Sequence, residues 1–313
     1  MGGSSTGEHS MYRSFNTRPI RLGLLCLVLV LGASAAHFSR FPARAWFAVG
    51  QWLSPGRSAI GLGDYRAVLQ ARPIEGLSGD VSALTYDPDR NTLFTVTNKM
   101  PELVELSLNG DVLRRISLIG FSDPEAVEYI APGTYVISDE RQQRLVQVEI
   151  GDATSSVDIA SGHQLALGLG LNGNKGFEGL AYDLSSGRLY VAKERDPVRI
   201  YEVSGFPVGN SGPMAIGISE NRQRDRGMFV KDLSSLQFDP RSGHLLIVSD
   251  ESKVVVELDP EGKPVASLSL VGGSAGLDRP VPQPEGVAMD TAGNLFMVSE
   301  PNLFYRFEPR PAP

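Results

Sequence analysis

The sequence predicts an all-β protein: a five-bladed β-propeller of four-stranded antiparallel blades, behind an N-terminal transmembrane or signal helix. Three observations predict it. Five segments between residues 64 and 309 repeat one strand–turn–strand pattern. Their starts, Ser82, Glu125, Glu178, Ser234 and Glu285, lie 43, 53, 56 and 51 residues apart, close to the period of about 40–50 residues that marks propeller blades. The 34 Gly and 21 Pro in 313 residues supply turns at a density that long helical repeats and coiled coils do not tolerate.

Composition sets the outer bounds. Apolar residues make up 42% and charged residues 21%, which excludes global disorder and a polytopic membrane protein. The single cysteine, Cys26, excludes an intrachain disulfide and a zinc site built from several thiolates. The net charge of −7 is unevenly spread: residues 1–57 hold six Arg and one Glu, and the remainder holds 23 basic and 35 acidic residues. A body this acidic is a poor general nucleic-acid binder, because the phosphate backbone demands a basic surface, and no nucleic-acid partner is expected. It suits cations.

The N-terminus reads as membrane-directed. Residues 1–21 are polar and basic, with Arg13, Arg18 and Arg21 against Glu8. Residues 22–39 form an uncharged run of 18, just long enough to span a bilayer as a helix. The same build, ending in Ala33-Ser34-Ala35, also fits a cleavable export signal. An uncleaved anchor is favoured, with the membrane as partner and Trp46, Phe47 and Trp52 suited to its interface. Either form puts the body on the extracytoplasmic, periplasmic side, since the basic lead stays in the cytoplasm. Residues 40–63 then read as a linker and 310–313 as a tail.

Within 64–309 each unit opens on a short alternating run, with apolar residues at its third and fifth positions. These runs are Ser82-Ala-Leu-Thr-Tyr-Asp87, Glu125-Ala-Val-Glu-Tyr129, Glu178-Gly-Leu-Ala-Tyr-Asp183, Ser234-Ser-Leu-Gln-Phe-Asp239 and Glu285-Gly-Val-Ala-Met-Asp290. Period two means strand. A Gly- or Pro-bearing turn follows each run. Second strands are expected at 93–97, 135–138, 189–192, 245–249 and 295–299, and third strands at 103–108, 145–150, 198–203, 254–258 and 303–307. A fourth strand is plain after Asn109-Gly110 and Glu261-Gly262, and fainter at 164–169 and 214–219. The last unit lacks one, while residues 64–71 form a strand-like run with no unit of its own. Pairing the two closes the ring and removes an exposed sheet edge.

The set Asp123-Pro-Glu-Ala-Val127, Asn174-Lys-Gly-Phe-Glu-Gly-Leu-Ala181, Asp232-Leu-Ser-Ser-Leu236 and Pro282-Gln-Pro-Glu-Gly-Val287 resembles the SdiA-regulated (YjiK-like) family over about residues 65–308. Its motifs are shared in part with NHL-repeat propellers. The resemblance implies a five-bladed propeller behind a membrane segment, with bound calcium in at least one member, and no established reaction.

The first strand of each blade lines a propeller's channel, so equivalent starts converge on the axis. Here that brings together Glu125, Glu178 and Glu285, with Ser82 and Ser234 at the other two positions. Like charges at such distances need an offset, and a hard cation with oxygen ligands, Ca²⁺ above all, supplies it. The absence of thiols and scarcity of His disfavour zinc and copper. The other reading has the glutamates capping backbone N–H groups or pairing with Lys or Arg. Asp80 and Asp232 precede the two serines by two residues and are candidate substitutes for the missing glutamates. A second polar set ends the second strands: Asn98, Asp139 with Glu140, Glu194, Asp250 with Glu251, and Glu300. These read chiefly as solvated loop groups, and otherwise as outer ligands or a substrate rim. Glu257 reads as a surface carboxylate.

Gly76-Leu-Ser-Gly79 lacks the spacing of a nucleophile elbow, and none of the four His sits with a nucleophile. Two function classes follow. One is a membrane-anchored, extracytoplasmic, calcium-binding module for an unidentified protein or small-molecule ligand, with no catalytic residues. The other is a calcium-dependent hydrolase, lactonase- or phosphoesterase-like, with the metal on the axis.

Overall fold

A computed structural model of the chain describes residues 58–168, 176–209 and 215–310, with a few isolated helical positions between 27 and 49. The expected membrane run at 22–39 lies largely outside these. Among the described residues no helix is long and apolar enough to cross a membrane.

The chain enters on β1 (Tyr65–Pro73). Blade 1 follows with β2 (Val81–Asp87), β3 (Thr92–Thr97), β4 (Glu102–Leu106) and β5 (Val112–Ile119). Blade 2 has β6 (Pro124–Ala131), β7 (Thr134–Asp139) and β8 (Arg144–Glu149). The chain then makes a short β9 (Ser156–Asp158) and returns as β10 (His163–Ala166), the outer strand of blade 2. Blade 3 is β11 (Phe177–Asp183), β12 (Arg188–Lys193), β13 (Arg199–Ser204) and β14 (Gly217–Glu220). Blade 4 is β15 (Ser235–Asp239), β16 (His244–Ser249), β17 (Val254–Leu258) and β18 (Pro264–Ser269). Blade 5 is β19 (Gln283–Met289), β20 (Leu295–Glu300) and β21 (Leu303–Pro309), completed by β1.

The predicted closure is present. β1 pairs antiparallel with β21 from Tyr65↔Pro309 to Pro73↔Leu303. One strand was not expected: β9 pairs parallel with β5 and makes blade 1 five-stranded, its Val157 buried.

Both faces of each blade are packed against neighbours, so the middle strands are largely buried rather than alternating between buried and exposed. All six residues of β16 and all five of β17 are buried. Polar side chains tie inner strands across blades. The Thr85 hydroxyl donates to Glu128 Oε2 (2.9 Å), and Glu128 Oε1 accepts from Tyr182 N (2.9 Å), so one buried glutamate of blade 2 holds blades 1 and 3. Ser235 Oγ accepts from Val287 N (3.1 Å) between blades 4 and 5. The aspartates ending four of the inner runs hold their turns: Asp87, Asp183, Asp239 and Asp290 each accept a backbone N–H two to four residues on.

Two readings need correction. Glu257 is not a surface group but fully buried. It accepts from Ser58 Oγ (2.5 Å), Ala59 N (2.9 Å) and Ile60 N (3.2 Å), and lies 2.7 Å from His244 Nδ1. The last residues of the expected linker are therefore strapped to blade 4, and Leu62 is fully buried in the core beside them. Charge alone suggested exposure for Glu257; four polar partners reverse it.

Candidate metal centre

Antiparallel pairing sets the site. Where β19 starts, β20 ends, so Gln283 faces Glu300; likewise Pro124 faces Asp139 and Phe177 faces Lys193. First-strand starts and second-strand ends therefore share one end of the channel.

A cavity of about 320 Å³ opens there. It is lined by all five starts, Ser82, Glu125, Glu178, Ser234 and Glu285, and also by Asn98, Glu194, Arg195, Asp232, Asp250, Glu251, Gln283 and Glu300. The second polar set is thus chiefly not a ring of solvated loop groups. Asn98, Glu194, Asp250, Glu251 and Glu300 line the same cavity, and Glu140 and Glu194 are buried. Asp139 is also buried, but it serves the fold, accepting from Ser122 N and Ser122 Oγ (2.8 Å each).

Each of the three glutamates is the extra residue of a β-bulge. The register steps from Pro124↔Asp139 to Ala126↔Ser138, from Phe177↔Lys193 to Gly179↔Ala192, and from Pro284↔Ser299 to Gly286↔Val298. A bulge re-aims its side chain, and here it serves the channel mouth. The residue after each glutamate is small because the next inner strand is close. A Cβ at Gly179 would lie 3.0 Å from Leu236 N, and one at Gly286 would lie 2.3 Å from the Ala83 carbonyl carbon.

Electrostatics follow from crowding. Burial pushes Glu125 up to about 7, with Asn98 and Ser82 hydrogen bonds pulling back and Glu140 and Asp123 adding to the rise. The Asn98 amide donates to Glu125 Oε1 at 2.9 Å. Burial raises Glu178 well above the usual carboxylate range, helped by Glu194, Glu285, Glu125 and Glu140. It pushes Glu285 up to about 9, helped by Asp250, Glu300, Glu125 and Asp232. Glu194 is pushed up to about 7 by burial, against Arg195 and with Glu140, Asp232 and Glu251. Its Oε2 is buried with no hydrogen-bond partner among the described residues.

The remaining sequence candidates divide. Asp232 lines the cavity, but its carboxylate accepts from Ser249 Oγ and from Glu251 N (3.1 Å). The Ser234 hydroxyl donates to Pro284 O (2.6 Å). Asp80 lies outside the cavity: it pairs with Lys99 and lines a separate cleft of about 60 Å³ with Thr97 and Arg115. It does not stand in for a glutamate at position 82.

Sequence reasoning gave Asp123 no role and left Glu140 in the outer set. Carboxylate oxygens of Asp123, Glu125 and Glu140 all lie within 4.8 Å of one another. Glu140 Oε1 accepts from Gly176 N (2.7 Å), and Asp123 is 3.3 Å from Arg141. The signal was available as the aspartate two residues before the unit start, in Asp123-Pro-Glu125 as in Asp232-Leu-Ser234. Such an all-oxygen acidic cluster can hold a metal, and its chemistry suits a hard cation.

Fold and site define a five-bladed propeller with an acidic channel mouth. The model of the SdiA-regulated family matches residues 57–308, and the chain belongs to that family. The chain is also similar to several solved structures. A chain of the nidogen/laminin complex is 17% identical, with a TM-score of 0.46 over 71% of this chain and 73% of that one. A luciferin-regenerating enzyme is 11% identical (TM-score 0.45, 78% and 94%). A calcium-binding protein from Agrobacterium tumefaciens, regucalcin, is 14% identical (TM-score 0.46, 77% and 92%).

Proposed function

We propose that this chain is a membrane-anchored, extracytoplasmic propeller that binds Ca²⁺ at the channel mouth and presents that face to a protein or small-molecule ligand. One observation carries the reading. Three bulge glutamates and the buried Glu194, one oxygen of which is without a partner among the described residues, meet in a single cavity. Each is driven towards its neutral form by burial first and by neighbouring carboxylates second. A divalent cation removes that penalty, and Ca²⁺ accepts six to eight oxygens at flexible geometry. Glu125 is shared by the close trio with Asp123 and Glu140 and by the cavity lining with Glu178, Glu194 and Glu285, and these carboxylates are the candidate ligands. At about 320 Å³ the cavity exceeds what one ion needs and reaches the lower range of ligand pockets.

Membrane attachment is supported by the 18-residue uncharged run behind a basic lead. Leu27, Val28 and Val30 within it are helical and exposed. The hydrolase alternative has less support. Its base would be Asp250 or Glu300, which line the cavity, but Asp250 is paired with Lys253 and the Ser234 hydroxyl is committed to a backbone carbonyl.

Elemental analysis of the full chain, purified in detergent and dialysed against micromolar Ca²⁺, tests the reading. Retained, stoichiometric calcium supports it. Retention equal to that of a variant with Glu125, Glu178 and Glu285 all changed to Gln contradicts it.

A further inference from the structure

Eight carboxylates line the cavity, and among the described lining residues one cation opposes them, Arg195. Its guanidinium joins two blades. Nε lies 2.9 Å from Glu194 Oε1, just after β12, and Nη1 lies 2.7 Å from Glu251 Oε1, just after β16.

The groups it joins are unequal. Glu194 is buried, and its backbone is held at both ends: Glu194 N donates to Gly176 O (3.1 Å) and Glu194 O accepts from Leu233 N (3.0 Å). Its backbone is therefore held, its side chain is buried, and Oε2 is free of hydrogen bonds among the described residues. The Arg195 and Glu251 side chains are each 40% exposed. Solvent-facing arginine is the partner with room to move. A cation approaching Glu194 meets a guanidinium already there.

We propose that Arg195 is a built-in competitor cation. In the metal-free protein it spans the cavity mouth and holds Glu194 to Glu251; a divalent cation binding in the cavity displaces it from Glu194. This rests on the reading of the cavity as a cation site. A guanidinium stays protonated at any physiological pH, so it leaves by displacement and not by losing its proton. It offsets part of the mutual repulsion of the carboxylates while no metal is bound, and it weakens cation binding by the same interaction. Its guanidinium is broad enough to donate a hydrogen bond to Glu251 while keeping an ion-pair contact with Glu194, a span that a compact lysine ammonium cannot match.

Calcium titration calorimetry on the full chain tests this with wild type, Arg195→Met and Arg195→Lys. The expected result is Ca²⁺ binding at least about tenfold tighter in Arg195→Met, equivalent to about 1.4 kcal/mol. Arg195→Lys should fall between, because it keeps the charge and loses the span. Metal-free Arg195→Met should also melt below metal-free wild type. Binding by Arg195→Met that is equal to or weaker than wild type would overturn the proposal, and would make Arg195 a positioning residue for Glu194. Should Arg195→Met fold poorly, an affinity for Arg195→Lys no higher than wild type overturns it equally. If wild type itself binds no Ca²⁺, the cation reading fails and takes the proposal with it.

Discussion

Gly286 of blade 5 packs against the backbone of Ala83 in blade 1, so closely that an added Cβ would lie 2.3 Å from the Ala83 carbonyl carbon. This contact is where the last inner strand meets the first. It also fixes the strand that carries Glu285. Gly286→Ala should therefore destabilise the protein by roughly 1–3 kcal/mol, the cost of overpacking against a backbone that cannot retreat. Gly63→Ala, with nothing among the described residues within 4 Å of the new methyl, should be near neutral. Thermal melting of the two variants checks the contrast, and equal melting temperatures would refute it.

The closure of the ring makes a graded truncation prediction. A chain starting at residue 58 keeps both β1 and the strap on Glu257, and should fold as wild type. One starting at residue 65 keeps β1 but strips Ser58, Ala59 and Ile60 from a fully buried carboxylate. Leaving such a group short of partners costs about 1–3 kcal/mol, so this chain should be monomeric and melt lower. One starting at residue 75 loses β1 and bares β21 as an edge strand, and should aggregate. Size-exclusion chromatography and melting read all three outcomes; a soluble, stable monomer from the third would contradict the closure.

The pH dependence has a definite sign. Glu285 at about 9, and Glu178 raised likewise, hold protons in the folded protein that they lose in the unfolded chain. A raised carboxylate pKa means that the folded state binds more protons, so stability falls as pH rises through the interval between the two pKa values. Metal-free protein should lose stability steadily from about pH 5 to pH 9. Calcium binding near pH 7 should release protons, visible as a dependence of the calorimetric heat on the ionisation enthalpy of the buffer. A flat metal-free stability profile over that range, with no proton release, would count against the crowded-carboxylate description.

The fold was legible because a propeller repeats itself. Five alternating runs at near-constant spacing need no tertiary information to be recognised, and the unpaired run at 64–71 matched the strand missing at the other end. That Glu125, Glu178 and Glu285 line one cavity follows from topology alone, but among the described residues the carboxylates gathered within 4.8 Å of one another are Asp123, Glu125 and Glu140. What the residues did not disclose depends on contacts between distant segments. Glu257 looked like any surface glutamate until Ser58, 199 positions away, was placed on it. The polar residues ending the second strands looked solvated because strand direction had not been used: antiparallel pairing puts them beside the starts. Asp80 and Asp232 shared one motif yet diverged, since Lys99 captures the first and Ser249 the second. The bulges were hidden because a one-residue register step leaves no composition signal beyond the small residue that follows.

Topology in the cell is a separate question with its own test. With six Arg and one Glu in residues 1–57, the leading end should remain in the cytoplasm and the propeller should lie across the membrane. An alkaline phosphatase reporter at the C-terminal end should be active and should sediment with membranes. Activity of a cytoplasm-only reporter at that point would reverse the assignment.

The most direct measurement is the melting temperature of the full chain as a function of free Ca²⁺, for wild type and for Glu178→Gln. A cation bound only by the folded state stabilises it by about 2.7 kcal/mol at a hundredfold excess over its dissociation constant. Wild type should melt several degrees higher in Ca²⁺ than in chelator. Glu178→Gln keeps the shape and removes a group whose ionisation burial opposes, so in chelator it should melt at or above wild type, and its gain from Ca²⁺ should be much smaller. Calcium-independent melting of verified metal-free wild type, or an undiminished calcium response in Glu178→Gln, would contradict the assignment of the channel mouth as a calcium site.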